Sequence, residues 1–296
     1  MKDSAQDRTV TVVIYAFLLL AALVVAYPLL FVLSASVSEP QMVNSGQVVL
    51  LPAGFNLEGY REILDYAPIW RGYANTVMYT VVGTLINLAV TLSAAYALSR
   101  RETEGRNVIA FLFALTMFFS GGLIPTYLLV TELGLRNSMW ALILPGAASM
   151  YNIIICRTYF ASSIPYELYE SAKTDGASDF RMFVGIALPL SAPIVAVMAL
   201  FYGVGHWNQF FSALIYLNDD AKYPLQLVLR TLLLQQQSSG SLNDSVEALT
   251  DFTRRSRLAD MMKYGLVIVA AAPLLIVYPF LQRFFVKGML VGAIKS

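Results

Sequence analysis

Residues 72–99 read GYANTVMYTVVGTLINLAVTLSAAYALS and contain no Asp, Glu, Lys or Arg. A helix of about 20 apolar residues crosses the hydrocarbon core of a bilayer, which is roughly 30 Å thick. A helix also satisfies its backbone hydrogen bonds internally, as a bilayer requires. This stretch is therefore long and apolar enough to be a membrane span.

The same feature recurs along the chain, which is 57% hydrophobic and 13% charged over 296 residues. A water-soluble core of that size could not bury so many apolar side chains. The six uncharged segments are 9–38, 72–99, 107–131, 137–156, 182–218 and 264–282. The sequence thus predicts an all-α polytopic membrane protein with six transmembrane helices, the first too long to be a cleaved signal peptide.

Prolines inside these segments predict kinks or breaks in the helices. They are Pro28, Pro125, Pro145, Pro193, Pro273 and Pro279. The run Ser120-Gly121-Gly122 just before Pro125 is a further place where we expect a helix to break and expose backbone near a pathway.

Composition excludes several classes of function. A net charge of +1 gives no basic excess for nucleic acid. The only cysteine, Cys156, and the only histidine, His206, cannot supply a structural zinc site, and we expect no metal site. The phosphate-binding pattern G-x-x-x-x-G-K-[ST] is absent, so the chain should neither bind a cofactor nor hydrolyse ATP itself.

The charged connectors predict the orientation. With the N-terminus inside, the inner connectors hold a modest excess of Lys and Arg, clearest in the loop 100–106, and both termini are cytoplasmic. Two outer connectors are long: 39–71, with a helix over 57–69 that Pro68 should stop, and 219–263, with a polar run at 235–240. Each is either a solvated loop or a docking surface for an external partner.

The longest inner connector predicts a compact structure, which we call the knob and define as residues 165–189. A short helix should begin at Pro165 and end before Gly176, which supplies a left-handed stop. Ser178 should cap a second helix, with Phe180, Phe183 and Val184 on one face. Such a knob either fits a groove on a soluble partner or packs against its own bundle.

The knob also carries a family resemblance. Residues 170–177 read ESAKTDGA and residues 186–189 read IALP, which resembles the EAA loop of bacterial ABC importer permeases except for Ser171, where the family has alanine. Residues 95–100, AYALSR, Trp207-Asn208 and the tail 282–295 are similar to the maltose-type sugar permeases. The LplC-type branch of that family is the nearest likeness, and the second permease of an alginate importer would fit.

The resemblance implies a type I importer fold in which the EAA loop is a cytoplasmic coupling helix, seated in a cleft of a partner ATPase. Residues of the loop that would carry the coupling are Glu170, Ala172, Asp175, Gly176, Ala177, Phe180 and Phe183. It implies two ATPase subunits that hold ATP and Mg²⁺, a second permease that we expect to be a different chain, and an external solute-binding protein. An oligosaccharide, acidic in the case of alginate fragments, would cross the bacterial inner membrane by alternating access.

The resemblance also suggests an organisation, with a first helix and outer loop in 1–71 and a permease core in 72–296. The core would hold the EAA loop at about 162–189 and the outer loop at about 219–263. Polar and aromatic residues in spans four and five could line the sugar pathway or simply pack between helices. They are Tyr151, Asn152, Tyr202, Trp207, Asn208 and Gln209.

Two other classes compete with an importer subunit. A transporter driven by an ion gradient usually needs acidic residues inside its spans, and the six segments contain no Asp or Glu. A membrane scaffold without transport activity is the third class. Copurification with an ATPase subunit discriminates between an importer and the other two.

Overall fold

The computed structural model describes residues 5–235 and 260–279, and the regular elements in them are helices. The first half of the chain forms α1 Ala5–Ser36, α2 Pro40–Asn44, α3 Glu58–Asp65, α4 Ala67–Ser99, α5 Arg106–Phe118, α6 Leu123–Glu132 and α7 Trp140–Ile143. The second half forms α8 Met150–Ser163, α9 Tyr166–Thr174, α10 Asp179–Met182, α11 Leu188–Leu190, α12 Ala192–Trp207, α13 Phe211–Tyr216, α14 Leu225–Gln235 and α15 Asp260–Pro279. A 3₁₀ turn, Leu144–Gly146, follows α7, and a π-helical turn, Phe183–Ala187, joins α10 to α11.

Six candidate membrane spans emerge from these helices when each bent pair is counted as one span, as the sequence predicts. Helices α1, α4 and α15 are each long and apolar enough to cross alone. The other three spans are bent: α5 with α6 by 112°, α7 with α8 by 52°, and α10–α11 with α12 by 84°. The uncharged segments therefore locate the six spans, but their lack of charge does not show that three of the spans are broken.

The predicted glycine break is confirmed, because α5 ends at Phe118 and α6 begins at Leu123. Three span prolines lie at the bends: Pro125, Pro145 and Pro193. Pro28 and Pro273, in contrast, lie inside helices that continue past them. A proline destabilises a helix least in the first turn, where the N–H that it lacks would have no intrahelical partner.

Two outer-connector predictions are wrong. Pro68 does not stop a surface helix: α3 ends at Asp65, and Pro68 lies in the first turn of α4. The connector 219–263 is not only loop, because α14 occupies its start with Leu225 and Leu227 buried. The apolar run in this connector was too short to count as a span. The predicted polar run 235–240 lies outside the described residues, apart from Gln235 at the end of α14.

The described residues divide into two compact units, 5–67 with 229–235 and 260–273, and 68–228 with 274–279. In the first unit, Ala35, Val43 and Val48 form a small core, and the Tyr60 hydroxyl donates to Ser36 Oγ over 2.9 Å. The predicted division at residue 71 stays a prediction.

The second unit contains two hydrophobic clusters, one toward each end of α4. Tyr79, with Leu142 and Tyr216, belongs to one cluster, and Tyr96, with Phe160, belongs to the other. The 17 residues between Tyr79 and Tyr96 correspond to about 25 Å of helix. The knob packs on the Tyr96 cluster, so α4 connects it to the far end of the unit.

Candidate functional site

The turn of the knob has the geometry that its sequence predicts. Gly176 has a φ of +75°, in the left-handed region that glycine adopts without steric cost. Its N–H donates to Lys173 O over 3.0 Å, and the N–H of Ala177 donates to Ala172 O over 2.9 Å. These two bonds form the Schellman motif that ends α9 and turns the chain.

The second helix of the knob also begins as predicted. Ser178 Oγ accepts the N–H of Arg181 over 3.3 Å, which caps α10. The chain then passes through the π-helical turn to α11, so the predicted second helix is not continuous. The tight turn at Gly176 and the cap at Ser178 together set where the first short helix ends and the second begins.

One face of the knob packs on the chain's own helices. Tyr169 and Ala172 are buried in the same cluster as Tyr96 of α4. The half-buried Phe183 ring lies 4.9 Å from the Tyr96 ring, centroid to centroid. Ala172 and Phe183, both expected among the coupling residues, therefore anchor the knob, and Ala177 is half-buried beside them.

The opposite face of the knob is open. Glu170, Asp175 and Gly176 are exposed, and Phe180 has 75% of its surface exposed. An exposed aromatic side chain is a frequent anchor of a protein interface, and polar residues form the rim of such interfaces. The internal packing is thus confirmed, and docking of a partner on the exposed residues stays a prediction.

Arg100 links the knob to the end of α4. Its guanidinium lies 3.7 Å above the Tyr169 ring centroid and pairs with Glu102 over 3.2 Å. The Tyr166 hydroxyl donates to the same Glu102 oxygen over 2.7 Å. This hydrogen bond, with help from Arg100, lowers the pKa of Glu102. Two tyrosines one turn apart in α9, Tyr166 and Tyr169, were the sequence signal for a stacked cation here.

A cleft of about 350 Å³ lies where α12 ends and meets the bend between α7 and α8. Tyr202, Asn208 and Gln209, three of the predicted pathway residues, line it together with His206. Trp207 does not line it: its ring is buried and packs edge-on against Tyr73, with the centroids 5.6 Å apart.

The two predicted residues in span four also lie away from this cleft. Tyr151 is exposed and Asn152 is buried, and neither is in the cleft lining. Tyr202 has a structural role as well, since its hydroxyl lies 2.6 Å from Thr91 Oγ1 within the buried core. Asn208 and Gln209 are therefore the predicted pathway residues best placed to meet a ligand.

Asn87, which sequence reasoning missed, organises this cleft. Its amide nitrogen donates to Gly146 O over 2.7 Å and to Ala147 O over 3.0 Å, both at the bend of span four. Because those bonds fix the amide, its oxygen accepts from His206 Nε2 over 2.7 Å, and the ring nitrogen carries the proton. The only sequence signal was a single amide in the middle of an apolar span.

Gly83, one turn before Asn87, lets the His206 ring approach α4. A Cβ at this position would lie 2.5 Å from His206 Nε2, closer than any non-bonded contact allows. The ring is also held by its bond to Asn87, so it could not move away without cost. Gly83, Asn87 and His206 thus form one fixed junction between spans two, four and five.

Comparisons with known proteins agree with this architecture. The family model described as binding-protein-dependent transport system inner membrane component matches residues 1–291. The polygalacturonan/rhamnogalacturonan transport system permease protein YtcP of Bacillus subtilis (strain 168) is 41% identical over 98% of this chain and 100% of its own length. Protein LplC of the same organism is 40% identical over 91% of this chain and 89% of its own length.

A solved structure is similar over the whole fold. It is a chain in the crystal structure of a bacterial ABC transporter involved in the import of the acidic polysaccharide alginate. That chain is 32% identical, with a TM-score of 0.85 over 96% of this chain and 99% of its own length. The predicted resemblance is confirmed, and this chain belongs to the binding-protein-dependent transport system inner membrane components, the membrane-spanning permease subunits of ABC importers.

Proposed function

We propose that this chain is one permease half of an ATP-driven importer of oligosaccharides. A second permease, a different chain, completes the pathway, and two ATPase subunits hold ATP and Mg²⁺. An external binding protein delivers the sugar. Closure of the ATPases on ATP moves the knob, and the spans reorient around the sugar by alternating access.

The open face of the knob carries this proposal. Phe180 is an exposed aromatic side chain and Glu170 and Asp175 are exposed carboxylates, while Tyr169 and Ala172 pack on the bundle. A partner bound to the open face therefore transmits its movement to α4 through the packed contact of Tyr169 and Ala172 with Tyr96. In this proposal the knob and both termini are cytoplasmic, in the bacterial inner membrane, which agrees with the basic connector 100–106.

The proposed substrate is an oligosaccharide, with an acidic one favoured. YtcP is described as a polygalacturonan/rhamnogalacturonan transport permease, and the solved transporter is involved in the import of alginate. Asn208 and Gln209 each donate one amide N–H to a backbone carbonyl, at 3.0 and 3.1 Å, so the second N–H of each remains for a sugar oxygen. Tyr202 and Phe201 add aromatic surface to the same cleft.

Removing the exposed anchors tests the coupling role. In the complete importer reconstituted into vesicles, Glu170→Ala combined with Phe180→Ala should weaken ATPase docking about tenfold or more, because an interface anchor is worth roughly 2 kcal/mol. Sugar uptake should fall, and less sugar should move per ATP hydrolysed. Both quantities are measured on the same vesicles.

Glu104→Ala combined with Phe55→Ala is the matched control. It removes one exposed carboxylate and one exposed ring, 73% exposed, from outside the knob. The control should transport like the unmodified importer. If the knob variant keeps normal uptake and normal sugar-to-ATP stoichiometry, the knob is not the coupling element.

A further inference from the structure

A second cleft, of about 590 Å³, lies beside the knob where α4 ends and α5 begins. Four arginines line it: Arg100 and Arg101 follow α4, Arg106 begins α5, and Arg157 lies in α8. Glu167 is the only acidic residue in the lining. The cleft therefore carries a net positive charge of about +3, which favours an anion inside it.

Most of this charge is not neutralised by the chain. Arg100 pairs with Glu102, but in the described part of the chain Arg101, Arg106 and Arg157 form no ion pair. Arg157 Nε donates to Leu98 O over 3.1 Å, and Arg106 donates to Arg100 O over 3.2 Å. These bonds hold two guanidinium groups in place and leave their other N–H groups for a ligand. Guanidinium groups bind phosphate oxygens in pairs of hydrogen bonds.

The position of the cleft adds a second constraint on the ligand. Ser99 ends one membrane span and Arg106 begins the next, so the cleft lies at the level of the lipid headgroups. Directly beyond Arg106, α5 contains no buried residue, and Val108 and Phe111 are more than 60% exposed. A ligand with a phosphate group and apolar tails would match both the arginine cleft and the exposed apolar side of α5.

We propose that this arginine cleft binds a phosphate group, presented by the headgroup of an anionic phospholipid or by a soluble phosphate. The exposed apolar side of α5 favours the phospholipid. An acidic surface of a partner protein would satisfy the charge but would not use the apolar surface beside it. The cleft shares Tyr166, Glu167 and Tyr169 with the knob, but its lining does not include Glu170, Asp175 or Phe180 or any residue of the sugar cleft.

Lipid binding to the purified complete importer tests the proposal. The importer is exchanged into mixed micelles with a defined fraction of phosphatidylglycerol in phosphatidylcholine, and native mass spectrometry counts the bound phosphatidylglycerol. Arg101→Gln with Arg157→Gln should weaken this binding roughly 30-fold, since each arginine near an anionic surface contributes about 1 kcal/mol. The control, Arg61→Gln with Arg71→Gln, removes the same charge from exposed positions outside the cleft.

The single variant Arg101→Gln keeps the test valid if the double variant does not assemble, because Arg101 is exposed and its guanidinium lies 5.2 Å from the Tyr166 ring centroid. It should weaken binding about fivefold.

Inorganic phosphate at millimolar concentration distinguishes the source: displacement of the lipid identifies a soluble phosphate site, and retention identifies a lipid site. Equal binding by variants and control would overturn the proposal. So would loss of the ATPase subunits from the variants with unchanged lipid binding, because the cleft would then serve the protein partner.

Discussion

The knob and the segment 216–225, which we call the strap, lie toward opposite ends of α4 and are held to it by different forces. The strap is held by directed hydrogen bonds to its backbone: Asn75 Nδ2 donates to Ala221 O over 2.8 Å, and Thr76 Oγ1 accepts from Leu225 N over 2.8 Å. The knob is held by ring stacking and apolar packing around Tyr169, and no backbone hydrogen bond joins α9 to α4 among the described residues.

A further residue fixes the strap from the connector between spans three and four. Asn137 has a φ of +58°, and its side-chain oxygen accepts the N–H groups of Asn218 and Asp219 at 3.2 and 3.3 Å. Hydrogen bonds lose strength steeply when their angle changes, so these bonds hold the strap in one geometry. The attachment of the knob depends mainly on apolar packing around Tyr169, which is not directional.

The largest effect is expected from removing a directed bond at the strap. Thr76→Val keeps the side-chain shape but leaves the buried N–H of Leu225 without its acceptor, which should cost about 1–3 kcal/mol of unfolding free energy. Thermal unfolding of the purified importer measures the loss. Thr80→Val, one turn later in α4, is the control, because Thr80 Oγ1 is buried with no hydrogen-bond partner in the described structure. An equal loss in both variants would show that the strap is not held by this bond.

A smaller effect on stability, with a specific effect on coupling, is expected at the knob. Arg100→Lys keeps the positive charge but removes the planar group stacked on Tyr169, which should cost about 0.5–2 kcal/mol. The looser contact should raise the number of ATP molecules hydrolysed per sugar imported, measured in reconstituted vesicles. Arg101→Lys is the control, since Arg101 is exposed and lies 5.2 Å from the Tyr166 ring. If both variants couple normally, the Arg100 stack does not transmit motion.

Features set by a few neighbouring residues were predictable from the sequence. The uncharged segments located six spans, the run Ser120-Gly121-Gly122 located a break, and Gly176 and Ser178 located the turn of the knob. Each of these depends on local physics, such as the backbone freedom of glycine or the capping ability of serine. The error at Pro68 was also local, because proline is compatible with either the end or the first turn of a helix.

Features that depend on distant residues were not predictable in this way. Asn87 and His206 are 119 residues apart in sequence, and Thr76 and Leu225 are 149 apart. The physical role of Asn75 and Thr76 appears only once the strap is folded against them. Trp207 looked suited to stack on a sugar, but tertiary packing placed it against Tyr73. A polar residue in a span indicates a partner without saying which one.

The smallest expected effect is a pH dependence confined to the knob end. The hydrogen bond from Tyr166, together with Arg100, holds the pKa of Glu102 below its ordinary value of 4.5. A carboxyl group with a lowered pKa stabilises the folded state above that ordinary value and loses this contribution as the pH falls through the lowered pKa. Because Glu102 is 41% exposed, solvent screening limits the contribution to a few tenths of a kcal/mol. Glu102→Gln should therefore lower the melting temperature slightly at pH 6, and by a smaller amount at an acidic pH below 4.5.

Glu104→Gln is the matched control, two residues away on the same exposed connector. It forms no ion pair within the described residues, so the same substitution there should leave the melting temperature unchanged at both pH values. An equal loss in Glu102→Gln at both pH values would contradict the prediction, because it would show that the negative charge of Glu102 does not stabilise the knob. The attachment of the knob would then depend on the ring stack and on neutral hydrogen bonding, without an ionic contribution.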